Sequence, residues 1–321
     1  MKKKIFCTLG PSTLNSKFLK FANKKINLLR LNMSHVNVNK LDKLIKRIKR
    51  DTKVPICIDT EGAQIRTKVK NLKKVISGQK FYIYKNKGNF KIYPNEVFSK
   101  LKIGDIILIG FDNLSGKIIK LENYKITLKC LTSGLLETNK GMHIQNRKIK
   151  INFLTEKDLK AIEIAKKNKI SNFALSFTNN CQDIKKFKEL LPGKKKYFKI
   201  ETKEALRNFK EMTKIANFFL IDRGDLSREI EISKIPIAQR FIFSQKNKKN
   251  HIAIATNFLE SMIKNPTPTR AEANDIYNSL EMGASALVLA AETAIGKYPI
   301  ECVNFLLSVI KNFKTKKASK I

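Results

Sequence analysis

The sequence predicts an α/β protein: a TIM (β/α)8 barrel with a small β-barrel lid domain inserted after its third strand. Three observations lead there. Apolar runs of strand length alternate with stretches of helical period at both ends of the chain, as a parallel sheet requires. Between about Thr67 and Arg147 the rhythm changes to short β-rich runs punctuated by Gly and Asn. Finally Arg30, Asn32, Asp59, Lys199, Glu201, Asp225, Thr256 and Glu292 all fall at C-terminal ends of predicted strands, the face where such barrels carry their sites.

Each element has a local reason. Ile5 to Gly10 reads as the first strand, stopped by Gly10-Pro11, with Ser12 or Ser16 available to cap the following helix. Ile26 to Asn32 is a second strand, and Leu41, Leu44, Ile45 and Ile48 recur at helical spacing before a third at Val54 to Ile58. In the insertion, Lys80 to Tyr84, Asp105 to Gly110 and Lys125 to Cys130 read as strands. Alternation resumes at Thr155, an N-cap followed by acidic first-turn residues. Strands four to eight follow at Asn172 to Phe177, in the run that Lys199 and Glu201 close, before Asp225, at His251 to Thr256 and at Ala286 to Glu292. The closing helix aligns Val303, Leu306, Leu307, Ile310 and Phe313 on one face. The expected domains are therefore a barrel at 1–66 and 148–321 and a lid at 67–147.

Composition narrows the function classes. The five cysteines are scattered, without C-x-x-C spacing, which argues against a disulfide framework or structural zinc and for a reducing, cytoplasmic setting. No apolar run is long enough to span a membrane. The net charge of +38 comes from lysines spread over every region, alongside abundant Asn and Ile. That is the imprint of A+T-rich codons rather than of a nucleic-acid groove, although a positive surface still attracts phosphorylated metabolites.

The chemistry centres on Tyr197-Phe198-Lys199-Ile200-Glu201. Period-2 geometry aims Lys199 and Glu201 at one face of a strand end, and Asp225 follows the next strand. Two carboxylates with open positions suit Mg2+ (or Mn2+), and Lys199 beside them could meet an anionic substrate. The same residues could equally be a buried ion pair of the core. With Arg30 the set suits phosphoryl transfer, which asks for positioning and neutralisation of oxygens. Asn32, Ser34, Asp59 and Thr60 offer a cluster of oxygens able to hold a monovalent cation.

Longer motifs point further. Cys7 to Ser12, Arg30 to His35, Asp59 to Gly62 with Ile65 to Thr67, Arg223 to Leu226, Leu259 to Pro266 running into Pro268 to Ala273, and Glu292 to Ala294 with Gly296 to Pro299 together resemble the pyruvate kinase family over nearly the whole chain. The resemblance implies transfer of phosphate from phosphoenolpyruvate to ADP in glycolysis. It implies that Arg30 and Lys199 hold the transferring phosphoryl group, that Glu201 and Asp225 bind Mg2+, and that Asn32, Ser34, Asp59 and Thr60 bind K+. Thr256 and Gly224 would meet substrate, with Thr256 beside the carbon that accepts a proton, while Arg66, Lys140 and Asn32 would contact nucleotide.

Departures are equally specific. Glu61 and Gln64 stand where the family has lysine and, in potassium-dependent members, glutamate, leaving the K+ requirement open. Ala290-Ala291 replaces Ser-Gly, Ser227 replaces a glycine and Asn257 a glutamine. No C-terminal effector domain is visible, which implies a monomer or homodimer without sugar-phosphate control. Two other readings stay in play: a catalytically weak relative kept as a binding or regulatory protein, and a metal-dependent pyruvate aldolase or lyase.

Overall fold

A computed structural model describes residues 3–110, 114–145, 147 and 149–315. It divides into two compact units, Met1–Gly62 with Glu156–Ile321, and Ala63–Thr155.

The first unit opens with β1 (Lys4–Thr8), α1 (Ser16–Lys25), β2 (Leu28–Asn32), α2 (Leu41–Asp51) and β3 (Ile56–Asp59). Helix α1 is capped by Asn15, whose side-chain oxygen accepts from Phe18 N at 2.9 Å, and not by Ser12 or Ser16. Thr13 N and Leu14 N both close back on Gly10 O, so the turn carries past Ser12 before the helix can begin. Ser16 instead donates to Asp51 at 2.7 Å, tying α1 to the end of α2.

The second unit holds β4 (Ile65–Val69), β5 (Lys73–Val75), β6 (Lys80–Tyr84), β7 (Phe90–Tyr93), β8 (Ile106–Ile109), β9 (Leu114–Leu121), β10 (Lys125–Thr132), β11 (Gly134–Leu136) and β12 (Gly141–Ile144). Seven form one antiparallel sheet in the order β6-β10-β9-β8-β12-β4-β7, and β11 pairs with β5. Alternation builds its core: Phe81 and Ile83, Phe90 and Ile92, and Ile126 and Leu128 turn inward together.

The first unit resumes with α3 (Glu156–Lys167), β13 (Asn172–Leu175), α4 (Cys181–Leu190), β14 (Lys195–Ile200), α5 (Lys203–Ile215), β15 (Phe218–Asp222), α6 (Arg223–Leu226), α7 (Ile235–Gln245), β16 (His251–Ala255), α8 (Arg270–Glu281), β17 (Ala286–Leu289), α9 (Ala291–Ala294) and α10 (Pro299–Thr315). Of the basic stretch Lys314 to Lys320, the part beyond Thr315 lies outside the described residues. Eight parallel strands close a barrel in the order β1-β17-β16-β15-β14-β13-β3-β2. Phe6, Leu28, Cys57, Ala174, Tyr197, Leu220, Ala253 and Ala286 fill its interior, while residues of opposite parity, such as Phe198 against Phe187 of α4, pack outward onto helices.

The eighth strand is shorter than the sequence suggests. The apolar run Ala286 to Ala291 carries no sign of where pairing stops, and the ladder ends at Leu289 because residues 291–294 turn into a helix. Glu292 drives that turn. Its buried carboxylate accepts from Ala290 N at 2.7 Å and from Phe258 N and Leu259 N at 3.2 Å.

Asp158 has an analogous task. Expected only as an acidic first-turn residue, it is fully buried and accepts from Glu61 N at 2.6 Å and Gly62 N at 3.0 Å, fixing the turn after β3. Asp158→Asn keeps one acceptor and turns an NH2 toward the second amide. It is expected to lower unfolding free energy by roughly 1–3 kcal/mol, seen as a lower denaturant midpoint at unchanged slope. Among the described residues Cys7, Cys57, Cys130 and Cys302 are buried free thiols and Cys181 is a partly exposed one, and no helix is long and apolar enough to cross a membrane.

Candidate active site

Inward positions of adjacent strands converge at the C-terminal mouth of the barrel. Lys199, near the end of β14, is almost fully buried, and its ammonium lies 2.8 Å from Glu201 Oε1, 3.3 Å from Asp222 Oδ2 and 3.4 Å from Asp59 Oδ2, with Ser176 Oγ at 3.2 Å. Arg30, on β2, donates from Nε to Asp59 Oδ2 at 2.5 Å and from a terminal nitrogen to Thr8 Oγ1 at 3.0 Å. Two cations thus share Asp59, and closure of the barrel is what joins them: Asp59 and Lys199 are 140 residues apart in sequence.

Burial alone would discharge Lys199, yet Asp59, Glu201 and Asp222 outweigh it and hold the ammonium protonated well above the usual lysine range. Burial is likewise the largest influence on Asp222, and Lys199 and Arg30 overcome it and lower its pKa. Glu201 moves the other way. Burial, then the neighbouring Asp225 and Asp222, outweigh Lys199 and lift its pKa from 4.5 to about 8.

Glu201, Asp222 and Asp225 each offer a carboxylate oxygen, and these oxygens lie within 4.8 Å of one another. Phe177 N donates to Glu201 Oε2 at 2.6 Å, while Oε1 is buried without a hydrogen bond, facing the Lys199 ammonium. Hard oxygens at this spacing fit a divalent cation such as Mg2+ or Mn2+. Asp222 is the member that reading the strand ends passed over. The signal was available, because Leu220 and Asp222 share parity on β15 and Leu220 faces the interior. Ser176, in step with Ala174, follows the same rule.

This arrangement sets a pH dependence. Without metal, Glu201 keeps its proton in the folded state up to about pH 8 and loses it near 4.5 when unfolded. Stability from this group is therefore full below the unfolded value and is lost as pH rises through the folded one. Metal ligation needs the carboxylate ionised. Metal-free protein should melt progressively lower between these pH values, and saturating Mg2+ should flatten the trend and release a proton near pH 7, measurable by calorimetry in buffers of different ionisation enthalpy.

Thr256 directly follows β16 in a left-handed conformation, φ 72°, followed by Asn257 at 57°. Its hydroxyl accepts from Gly224 N at 2.9 Å and donates to Ala255 O at 2.5 Å. Arg223 braces the same turn, donating to Thr256 O at 2.6 Å, pairing with Asp275 and lying over the Phe258 ring. Ser227 fits this turn without strain, since its φ is −66° and its hydroxyl donates to Gly224 O at 2.8 Å. Asn32 and Asp59 are register partners on β2 and β3, and Ser34 and Thr60 follow shortly after. Asp59 already serves Arg30 and Lys199, Asn32 Oδ1 accepts from Ser34 N, and Thr60 Oγ1 accepts from Ser176 N. Within the second unit, Arg66 on β4 donates to Asn139 O at 3.2 Å and Lys140 pairs with Glu137 at 2.8 Å, so these two basic residues are near neighbours.

A barrel whose mouth sets buried cations against a carboxylate triad defines a class: metal-assisted enzymes acting on small anionic substrates. Comparison with known proteins narrows it. The family description "Pyruvate kinase, barrel domain" matches residues 1–303. The chain is 34% identical to pyruvate kinase of Thermotoga maritima, covering 98% of this chain and 71% of that protein. It is 35% identical to that of Methanocaldococcus jannaschii (97% and 69%) and 31% to that of Chlamydia muridarum (97% and 68%). The chain belongs to the pyruvate kinase family of phosphotransferases.

Proposed function

We propose that the chain transfers the phosphoryl group of phosphoenolpyruvate to ADP, giving pyruvate and ATP, as a glycolytic enzyme of the cytoplasm. The observation that carries this reading is the Lys199 ammonium, held protonated in a buried ring of carboxylates one strand-end from Asp225 and sharing Asp59 with Arg30.

Arg30 and Lys199 hold the phosphoryl oxygens and neutralise the charge that develops on them. The bond from phosphorus to the enol oxygen breaks as a terminal oxygen of ADP attacks in line. Glu201, Asp222 and Asp225 are placed to hold Mg2+ or Mn2+, which when bound supplies positive charge against substrate oxygens. Thr256 sits beside the enolate carbon, where a proton arriving from water completes pyruvate, and Gly224, anchored by Thr256, presents its turn to the carboxylate. Arg66 and Lys140 of the second unit would supply positive charge for nucleotide phosphates, and Asn32, Ser34, Asp59 and Thr60 would hold K+. The active species is a monomer or homodimer.

The test is pyruvate release coupled to NADH oxidation, with and without Mg2+, in K+ and in its absence. Turnover that requires the divalent cation, with a Mg2+ requirement raised at least ~10-fold in Glu201→Gln, supports the reading. Folded protein that binds ADP and forms no pyruvate in either salt overturns it.

A further inference from the structure

At the end of the barrel opposite Lys199, where the strands begin, lies a cavity of about 210 Å3. It exists because side-chain sizes around the first interior layer are uneven. Beyond His251 at the opening, strands β16 and β17 contribute the small Ala253 and Ala286, while β1, β14 and β15 contribute Phe6, Tyr197 and Phe218. The rings brace one another, with Phe6 edge-on to Tyr197 at 5.7 Å between centroids and His251 stacked on Phe218 at 5.0 Å. Aromatic walls are thus fixed on one side, and open space faces two methyl groups on the other.

The mouth is basic. Lys4, Lys195 and His251 line it together with Ser285, and the Lys195 ammonium lies 4.1 Å from the Phe218 centroid and 5.4 Å from that of Tyr197. Lysines elsewhere pair with acids, as Lys46 does with Asp42 and Lys234 with Glu231. Here no ion pair to a described residue compensates Lys4, Lys195 or His251, and Lys246 adds a further charge: burial first, then Lys195, Lys4 and Lys246, hold the pKa of His251 down. Like charges are gathered at a partly desolvated opening, and abundance of lysine alone does not fold one over two aromatic rings.

We propose that this cavity is a binding site for a fragment-sized molecule with a compact apolar or aromatic body and one carboxylate. The body replaces water against Tyr197, Phe218 and Ala253, and the carboxylate meets Lys195, Lys4 and His251. The volume suits such a ligand, since sites for larger organic molecules run roughly 300–1,000 Å3. Nothing in the proposal depends on the reaction at the other mouth.

Benzoate serves as the probe, with benzamide as its neutral isostere and acetate as the charge without the ring, titrated into the full chain by calorimetry at fixed ionic strength. Benzoate is expected to bind one to one, at least ~10-fold more tightly than either control, and Lys195→Gln to weaken it by a similar factor. Ala253→Leu fills the cavity and should abolish binding. Ala286→Val serves the same purpose if that variant does not fold, and Lys53→Gln, an exposed lysine elsewhere, should change nothing. Equal binding of acetate and benzoate, unchanged affinity in both cavity-filling variants, or no heat at about 10 mM benzoate overturns the proposal.

Discussion

Lys199→Met is expected to lower pyruvate formation by at least ~10^3-fold, because it removes a preorganised charge from the place where phosphoryl charge develops. Methionine keeps most of the stem, so packing against the interior layer changes little. The electrostatic loss is larger. Asp59, Glu201 and Asp222 each lie within 3.4 Å of the ammonium, and without it only Arg30 remains to balance Asp59 and Asp222, while Glu201 keeps its proton. Removing one partner of a buried pair costs about 3–5 kcal/mol, so the variant should also melt lower and recover part of that loss in Mg2+, which offers the carboxylates a replacement charge. Coupled turnover and thermal melts with and without Mg2+ check both halves. Activity within tenfold of the parent would remove Lys199 from the chemistry.

Asp59→Asn should act through the opposite sign. Asp59 is fully buried and bears on Arg30, Lys199 and the Ser176 hydroxyl at once. The amide retains the shape and one acceptor, but turns hydrogens or a neutral oxygen toward two buried cations. Turnover is expected to fall at least ~10^2-fold, with a loss of roughly 3–5 kcal/mol in unfolding free energy. Because Asp59 is also proposed as a K+ ligand, the variant separates two roles: a defect confined to the K+ requirement would show that Asp59 serves the ion, whereas low turnover at every K+ concentration would show that it sets Arg30 and Lys199.

How far the sequence disclosed this site follows the range of the forces involved. Alternation along a strand is local, so Lys199 and Glu201 could be placed on one face from five residues, and the same rule reaches Asp222 from Leu220. Which carboxylates meet Lys199 is decided by barrel closure, which brings β3 and β14 to either side of β13; no pattern within a strand carries that. Asp158 was legible as a helix-start acid and illegible as the anchor of the turn after β3, since its partners lie 96 and 97 residues earlier. The end of β17 was obscured for another reason: hydrophobicity runs on past the last ladder bond, and only the three amides gathered by Glu292 mark where the backbone turns.

The parity of β14 has a consequence for how this chain can change over generations. Tyr197 and Lys199 face the interior while Phe198 packs on Phe187 of α4 and Phe219 of β15. One inherited insertion or deletion within those residues would exchange the two sets, pushing an ammonium among phenyl rings and a ring among carboxylates. Substitutions on the helix-facing side can drift while their volume is kept, whereas the reading length of this strand is frozen by two neighbourhoods that tolerate none of each other's residues.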